Sequence, residues 1–376
     1  MVMPCQQIER AIFGQVPMIR SDPKFQILKE QVQPASFDFR LGAVGYRMRS
    51  AALPHKETVA DLIKAYKKYD FELDTGRPHY LEKGMTYIIP LLESLALPSD
   101  TWAEFTAKSS TGRVDVFARV LADGADYDQV PSGYHGPLYV ELTPLSHDVQ
   151  VQTGHSLVQG RFKTPATQVV TARELQDMHM REAVLYSDTS RALTLQDLDF
   201  VGDDLYFHIN LKRDVVGFVA KDTTLAIDLT KKEAHEPYDF WEPIRRPQDG
   251  KLELLPGKFY LLATKERVRI PAECCGQVQD YKTNSGEVRP HYAGFFDNGF
   301  GGEQGTNGVL EVRAREVTMR VVDGQRICAM RFERTFERPN QLYGGGGSSY
   351  TQNGPSLSKH FKWRYEVWHT GYWSQW

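Results

Sequence analysis

The chain has 376 residues, 41% apolar and 25% charged, the proportions of an ordinary soluble globular protein with length enough for two cores. Its net charge of −3 gives no broad attraction for nucleic acid or an anionic membrane, and leaves open a small phosphate ligand held by local donors. No apolar run approaches the ~18 residues of a membrane helix, and MVMPCQQIER lacks the basic and then apolar regions of a secretory signal, so the expected location is the cytoplasm.

In chain order, residues 5–13 (CQQIERAIF) place apolar side chains at helical spacing, and residues 60–69 (ADLIKAYKKY) predict a second short helix. Most of the rest predicts strands. Runs such as TYII at 86–89, LYVEL at 138–142, KFYLL at 258–262, VLEVR at 309–313 and ICAMRF at 327–332 alternate or cluster β-branched and aromatic residues, with glycine, proline and aspartate between them. That rhythm predicts a mainly β fold of two compact barrels or sandwiches with a few helices. The polar, partly helical stretch 164–199 is expected to bridge them. Near the end, YGGGGSSYTQNGP at 343–355 cannot hold a strand cheaply, and reads either as a linker to the aromatic stretch 363–376 or as an arm that closes over a ligand.

The chain also repeats itself. Gly84, Pro98, Glu141, Gly154 and Phe162 recur in order as Gly257, Pro271, Glu311, Gly324 and Phe332. Three of the four intervals match, at 14, 13 and 8 residues, and only the proline-to-glutamate stretch differs, at 43 and 40. A period near 170 is far too long for a solenoid, so the pattern predicts a duplicated domain.

Four cysteines, Cys5, Cys274, Cys275 and Cys328, are too few and too irregular for a disulfide framework and are expected as reduced thiols. The His-x-Glu and Pro-Cys-x-x-Cys signature of zinc-dependent nucleobase enzymes is missing, since Cys274 and Cys275 are adjacent; no zinc and no resident metal are expected.

Three motifs could carry chemistry. Lys108-Ser109-Ser110-Thr111-Gly112-Arg113 follows the strand expected at 102–106, and its hydroxyls and forked cation suit a phosphate chain; alone, a Ser/Thr-rich turn is more often a helix cap. Glu141 and Glu311 occupy matching places in strand-like runs; a rim carboxylate can simply be solvated, but reuse at the same offset in both halves favours a pocket, where partial burial would raise its pKa toward that of a general base. Residues 290–302 (PHYAGFFDNGFGG) read as a hairpin with turn chemistry at Asp297-Asn-Gly299, whose aromatics could be core or ligand platform.

Together these pieces resemble the deoxycytidine triphosphate (dCTP) deaminase branch of the trimeric deoxyuridine triphosphatase (dUTPase) superfamily, in a tandem-duplicated form. The resemblance rests on QPASFDFRLG at 33–42, the Ser-Ser-x-x-Arg pattern of Ser109, Ser110 and Arg113, Ala122 beyond it, GYHG at 133–136 leading into Glu141, residues 154–162, the segment 293–302, Glu311, residues 324–332, and Tyr350, Gln352, Gly354 and Ser358 in the tail. It implies two dUTPase-like β-barrel domains at 1–165 and 201–335, a connector at 166–200, an arm at 336–376, and a homo-oligomer, a trimer by preference. It further implies deamination of dCTP or a related pyrimidine deoxynucleotide, with Glu141 or Glu311 as base. Lys108, Ser109, Ser110 and Arg113 would hold phosphate. Ala122, Tyr292, Ala293, Phe296 and Asp297 would face base and sugar, Tyr350 and Gln352 would close the site, and Mg2+ would travel with the triphosphate.

The chain departs from the pattern in each half. TNSGE at 283–287 has no arginine at the second phosphate position, and the first-half segment ADGADYDQVP at 122–131 is stretched and acidic. Either a composite site joins first-half phosphate donors to Glu311, or stacked rings of like domains favour Glu141. A diphosphatase, a bifunctional deaminase-diphosphatase and a non-catalytic nucleotide-binding protein stand as rivals.

Overall fold

The structure, a computed structural model, describes residues 1–166, 168–279, 294–314, 316–344 and 354–362, and the backbone of 288–290. Among these residues five α-helices punctuate a mainly β chain: α1 (Cys5–Phe13), α2 (Val59–Tyr66), α3 (Ser109–Gly112), α4 (Ala172–Arg181) and α5 (Pro237–Phe240). None is long and apolar enough to cross a membrane.

In α1, Cys5, Ile8 and Ile12 fall on one face, and that face is buried. α2 is shorter than its periodicity predicts. Thr58 caps it, accepting from the Asp61 N–H at 3.1 Å, but it stops at Tyr66. Residues 67–69 instead open the strand Lys67–Glu72, which pairs with Val44–Met48; ladder pairing and the Phe71 ring packed edge-on against Tyr87 override a weak helical pattern. α4, in the stretch expected to bridge the halves, begins at a reciprocal cap between Thr171 and Glu174.

The sequence repeat is a repeat of topology. In the first half one sheet runs Lys67–Glu72, Val44–Met48, Tyr87–Ala96, His135–Pro144, Val116–Leu121; in the second, Trp241–Arg245, Val215–Ala220, Phe259–Val268, Thr306–Ala314, Val288–Pro290 follow in the same order. A companion sheet recurs likewise, as Phe37–Arg40, Ser156–Lys163, Trp102–Ala107, Gln129–Val130 and then Asp204–His208, Arg326–Arg334, Cys274–Val278, Phe295–Phe296. Register is kept as well: Glu141 lies opposite Ile88 and Glu311 opposite Leu261.

The halves are welded, not merely tethered. One apolar cluster runs from Phe37, Phe39 and Phe162 to Phe259 and Leu261, and takes in Leu357 and Phe361 near the C-terminus. Ala226–Asp228 of the second half adds a parallel strand to Asp148–Val151 of the first. Arg161, fully buried, donates across the seam to the carbonyls of Gly276 (2.9 Å) and Phe296 (3.0 Å) and to Asp297 Oδ1 (3.1 Å). Lys163 bridges Glu104 at 2.6 Å and Glu333 at 2.7 Å.

The hairpin expected at 290–302 does not close on itself. Val288–Pro290 pairs with Thr306–Ala314, whereas Phe295–Phe296 pairs with Cys274–Val278, so the segment crosses from one sheet to the other. The Arg161 guanidinium explains the crossing: it lies 4.2 Å over the Phe295 ring and holds the Phe296 carbonyl.

Candidate active site

The strand Trp102–Ala107 ends at Lys108, the N-cap of α3, and this abrupt change from strand to a single helical turn swings residues 108–113 out of the sheet. Lys108, Ser109, Ser110 and Arg113 line a cavity of about 560 Å³, within the range of about 300–1,000 Å³ usual for small-molecule sites. Glu311, on the strand Thr306–Ala314, enters the same cavity from the other half. The approach is close: a Cβ placed on Gly112 would lie 2.9 Å from Glu311 Oε1. Behind them, Asp115 just beyond α3 pairs with Arg313, two residues past Glu311, and Arg313 also donates to Ser146 at 3.2 Å. This pair fixes α3 against the strand that carries Glu311.

Burial pushes the Glu311 carboxyl up to about 8; Arg113 opposes the shift and Asp115 adds to it. Such a group is a carboxylate for part of the neutral range and a carboxylic acid for the rest, which suits a residue that takes and returns a proton. The C-terminal segment lies against the same helix. Arg113 Nη1 donates to Ser356 Oγ at 2.7 Å, and Ser358 Oγ donates to the Ser110 carbonyl at 2.8 Å.

The remaining sequence candidates divide. Glu141, 1% exposed, lies outside the cavity lining and is enclosed by its own half, accepting from the Ala52 N–H at 3.1 Å and the Tyr127 hydroxyl at 3.2 Å. Burial raises its pKa too. Tyr127 belongs to the stretched segment 122–131, which thus fills the space beside Glu141. Ala122 packs in the apolar core and does not line the cavity. Phe296 and Asp297 do line it, but the Phe296 carbonyl accepts from Arg161, and the Asp297 carboxylate accepts from Arg161 and, at 3.3 Å, from Ser36. Tyr292, Ala293, Tyr350 and Gln352 lie outside the described residues, as does the segment 283–287.

A family model described as the N-terminal domain of 2'-deoxycytidine 5'-triphosphate deaminase matches residues 1–166, and one described as the C-terminal domain of that enzyme matches residues 171–361. The chain belongs to the dCTP deaminase family. The two family domains together span the described cavity, with α3 in the first and Glu311 in the second. A crystal structure of 2'-deoxycytidine 5'-triphosphate deaminase from Agrobacterium tumefaciens superposes with a TM-score of 0.80 at 33% identity, over 89% of this chain and 99% of that one, and carries the dUTPase-like fold with it.

Curated members of the dCTP deaminase family match over shorter stretches. A "dCTP deaminase, dUMP-forming" of Dictyoglomus turgidum is 27% identical over 122 residues, 31% of this chain and 58% of that protein. A "dCTP deaminase" of Haloarcula marismortui is 28% identical over 145 residues, 36% of this chain and 69% of its own length.

Sequence reasoning passed over five charged residues of this deaminase-family cavity: Lys29, Glu30, Asp38, Lys232 and Lys359. Asp38 carried a signal, for an acid between Phe37 and Phe39 in a fully buried strand needs a partner, and Lys108 supplies it. Lys232 and Lys359 carried none, because only the fold brings them beside α3.

Proposed function

We propose that this chain deaminates dCTP hydrolytically, giving dUTP and ammonia, at one composite site per chain. The observation that carries the proposal is Glu311, buried with its pKa pushed up to about 8, sharing one cavity with Lys108, Ser109, Ser110 and Arg113 of the other half. The serine hydroxyls and the Arg113 fork hold the phosphate chain, and magnesium enters with that chain as part of the substrate. Glu311 takes a proton from water, the resulting hydroxide adds to C4 of cytosine, and the proton passes from Glu311 to the departing amino group. One water is consumed and one ammonia leaves, so the atoms balance without redox chemistry. The enclosure of Glu141 by Tyr127 supports Glu311 over its counterpart. Because α3 and Glu311 belong to the same chain, their meeting needs no second copy.

A second reading is that the dUTP formed is cut further to dUMP and pyrophosphate, favoured by the resemblance to proteins called dUMP-forming. One incubation with dCTP and Mg2+, resolving ammonia, dUTP, dUMP and pyrophosphate, tests both. Ammonia with dUTP alone supports the first reading and ammonia with dUMP and pyrophosphate the second; no ammonia overturns both.

A further inference from the structure

Asp115 stands just past α3 with φ +58, a left-handed backbone that glycine adopts freely and aspartate adopts at a cost. Its main chain is held on both sides: the N–H donates to the Gly112 carbonyl and the carbonyl accepts from the Leu145 N–H, each at 2.9 Å. The side chain explains why a glycine would not serve. It is fully buried, accepts from Ser146 Oγ at 2.5 Å, and pairs with the Arg313 guanidinium, which also donates to the Gly257 carbonyl. None of Asp115, Ser146 and Arg313 lines the cavity, so their effect on chemistry there passes through residues that do. Asp115 lies two residues after Arg113, and Arg313 two residues after Glu311 on the same strand. The ion pair thus ties phosphate donor to base from behind.

The duplication supplies a comparison inside the molecule. Glu141, enclosed by Tyr127, has Thr143 two residues on, and the Thr143 hydroxyl meets that of Thr86 at 3.1 Å. The glutamate that shares a cavity with Arg113 is the one followed by a guanidinium. Asp115 also bears on the charge of Glu311: burial raises that carboxyl most, Arg113 opposes the rise and Asp115 adds to it. The other charges around the cavity are Lys108 with Asp38, Lys29 and Glu30, Lys232 and Lys359, and Asp297 paired with Arg161.

We infer that Asp115 and Arg313 are positioning residues for the deamination: their ion pair holds the Arg113 fork and the Glu311 carboxyl at one spacing, and the Asp115 charge cancels that of Arg313 behind the base. The inference rests on the deaminase reading for its reaction, and on the buried pair for its mechanism. Left without its partner, a guanidinium about 7 Å along the strand favours the ionised Glu311 and makes it a poorer base.

The test compares wild type, Asp115→Asn and the double variant Asp115→Asn/Arg313→Gln. Asparagine keeps the shape of the residue and tolerates the left-handed backbone, so the first change removes a charge and little else. Asp115→Asn is expected to lower kcat for dCTP about tenfold with KM within about threefold of wild type, and to move the midpoint of the pH-rate profile down from about 8. Removing Arg313 as well takes away the stranded cation, so the midpoint climbs back toward wild type although one more native contact is lost. A pair that only held the fold together would move no midpoint back. A readout without substrate follows the same group: the carboxylic acid infrared band that Glu311→Gln abolishes, titrated with pH in each protein. An unmoved midpoint in Asp115→Asn, or a double variant that does not reverse the shift, overturns the inference. If the infrared midpoint falls and recovers in this way while wild type releases no ammonia from dCTP, the deaminase reading fails and the hold of the pair on Glu311 stands.

Discussion

Glu311 occupies the space that a side chain at Gly112 would need: a Cβ there would sit 2.9 Å from Oε1 and 3.0 Å from Cδ. The glycine belongs to the half that holds phosphate donors and the glutamate to the half that supplies the base, so this one contact measures how closely the two are joined. Gly112 is helical, and alanine suits a helical backbone. The cost of Gly112→Ala therefore falls on the carboxylate, which must swing away. Ammonia release from dCTP is expected to fall about 100-fold, as for a displacement of about 1 Å at the reacting centre. The melting temperature stays within about 4 °C. Steady-state kinetics beside thermal unfolding checks the pair of outcomes.

A base must be ionised to act, so kcat/KM for dCTP is expected to rise with pH through about 8 and level off above it. Arg113 is the charge that holds Glu311 down, and Arg113→Gln moves the midpoint further up while raising KM. A pH-rate profile of the two proteins checks both shifts.

The same group bears on stability. The folded pKa of Glu311 lies above its ordinary value of 4.5, so the folded state keeps a proton that the unfolded chain loses between about 4.5 and about 8. Its stabilising contribution is full below about pH 4.5 and is lost as pH rises through about 8. Glu311→Gln has no charge to lose, and is expected to raise the melting temperature over wild type at pH 9 but not at pH 4.5. Calorimetry at the two pH values decides the point.

Arg161 joins the halves with three hydrogen bonds and stands against the buried Asp297 carboxylate. Arg161→Ala leaves that acid without its cation and two carbonyls without their donor. The expected loss is about 3–5 kcal/mol, the range for removing one partner of a buried pair. Denaturant unfolding followed by tryptophan fluorescence measures it.

Much of the fold was legible because duplication writes the same signal twice. Glu141 and Glu311, at matched offsets, share a strand register that the sheets reproduce, and Cys5, Ile8 and Ile12 announced α1 by spacing alone. The end of α2 was not legible. Lys67–Glu72 becomes strand by pairing with Val44–Met48, a partner about 20 residues away that no local pattern names. At the site, the complementary losses of the two halves, an arginine missing at 283–287 and a stretched segment at 122–131, pointed to a cavity shared between them. The side chains beside α3 that come from remote loops, Lys232 and Lys359, had no local signature. Nor did Arg161, whose hydrogen-bond partners Gly276, Phe296 and Asp297 all lie in the second half.

The most direct test is ammonia release from dCTP and Mg2+ by Glu311→Gln and Glu141→Gln side by side. Each substitution keeps the shape of the residue and removes its basicity. Glu311→Gln is expected to lose about 10³-fold or more, within the range for a general base, while Glu141→Gln stays within about threefold of wild type. An active Glu311→Gln protein beside an inactive Glu141→Gln protein would contradict the composite site.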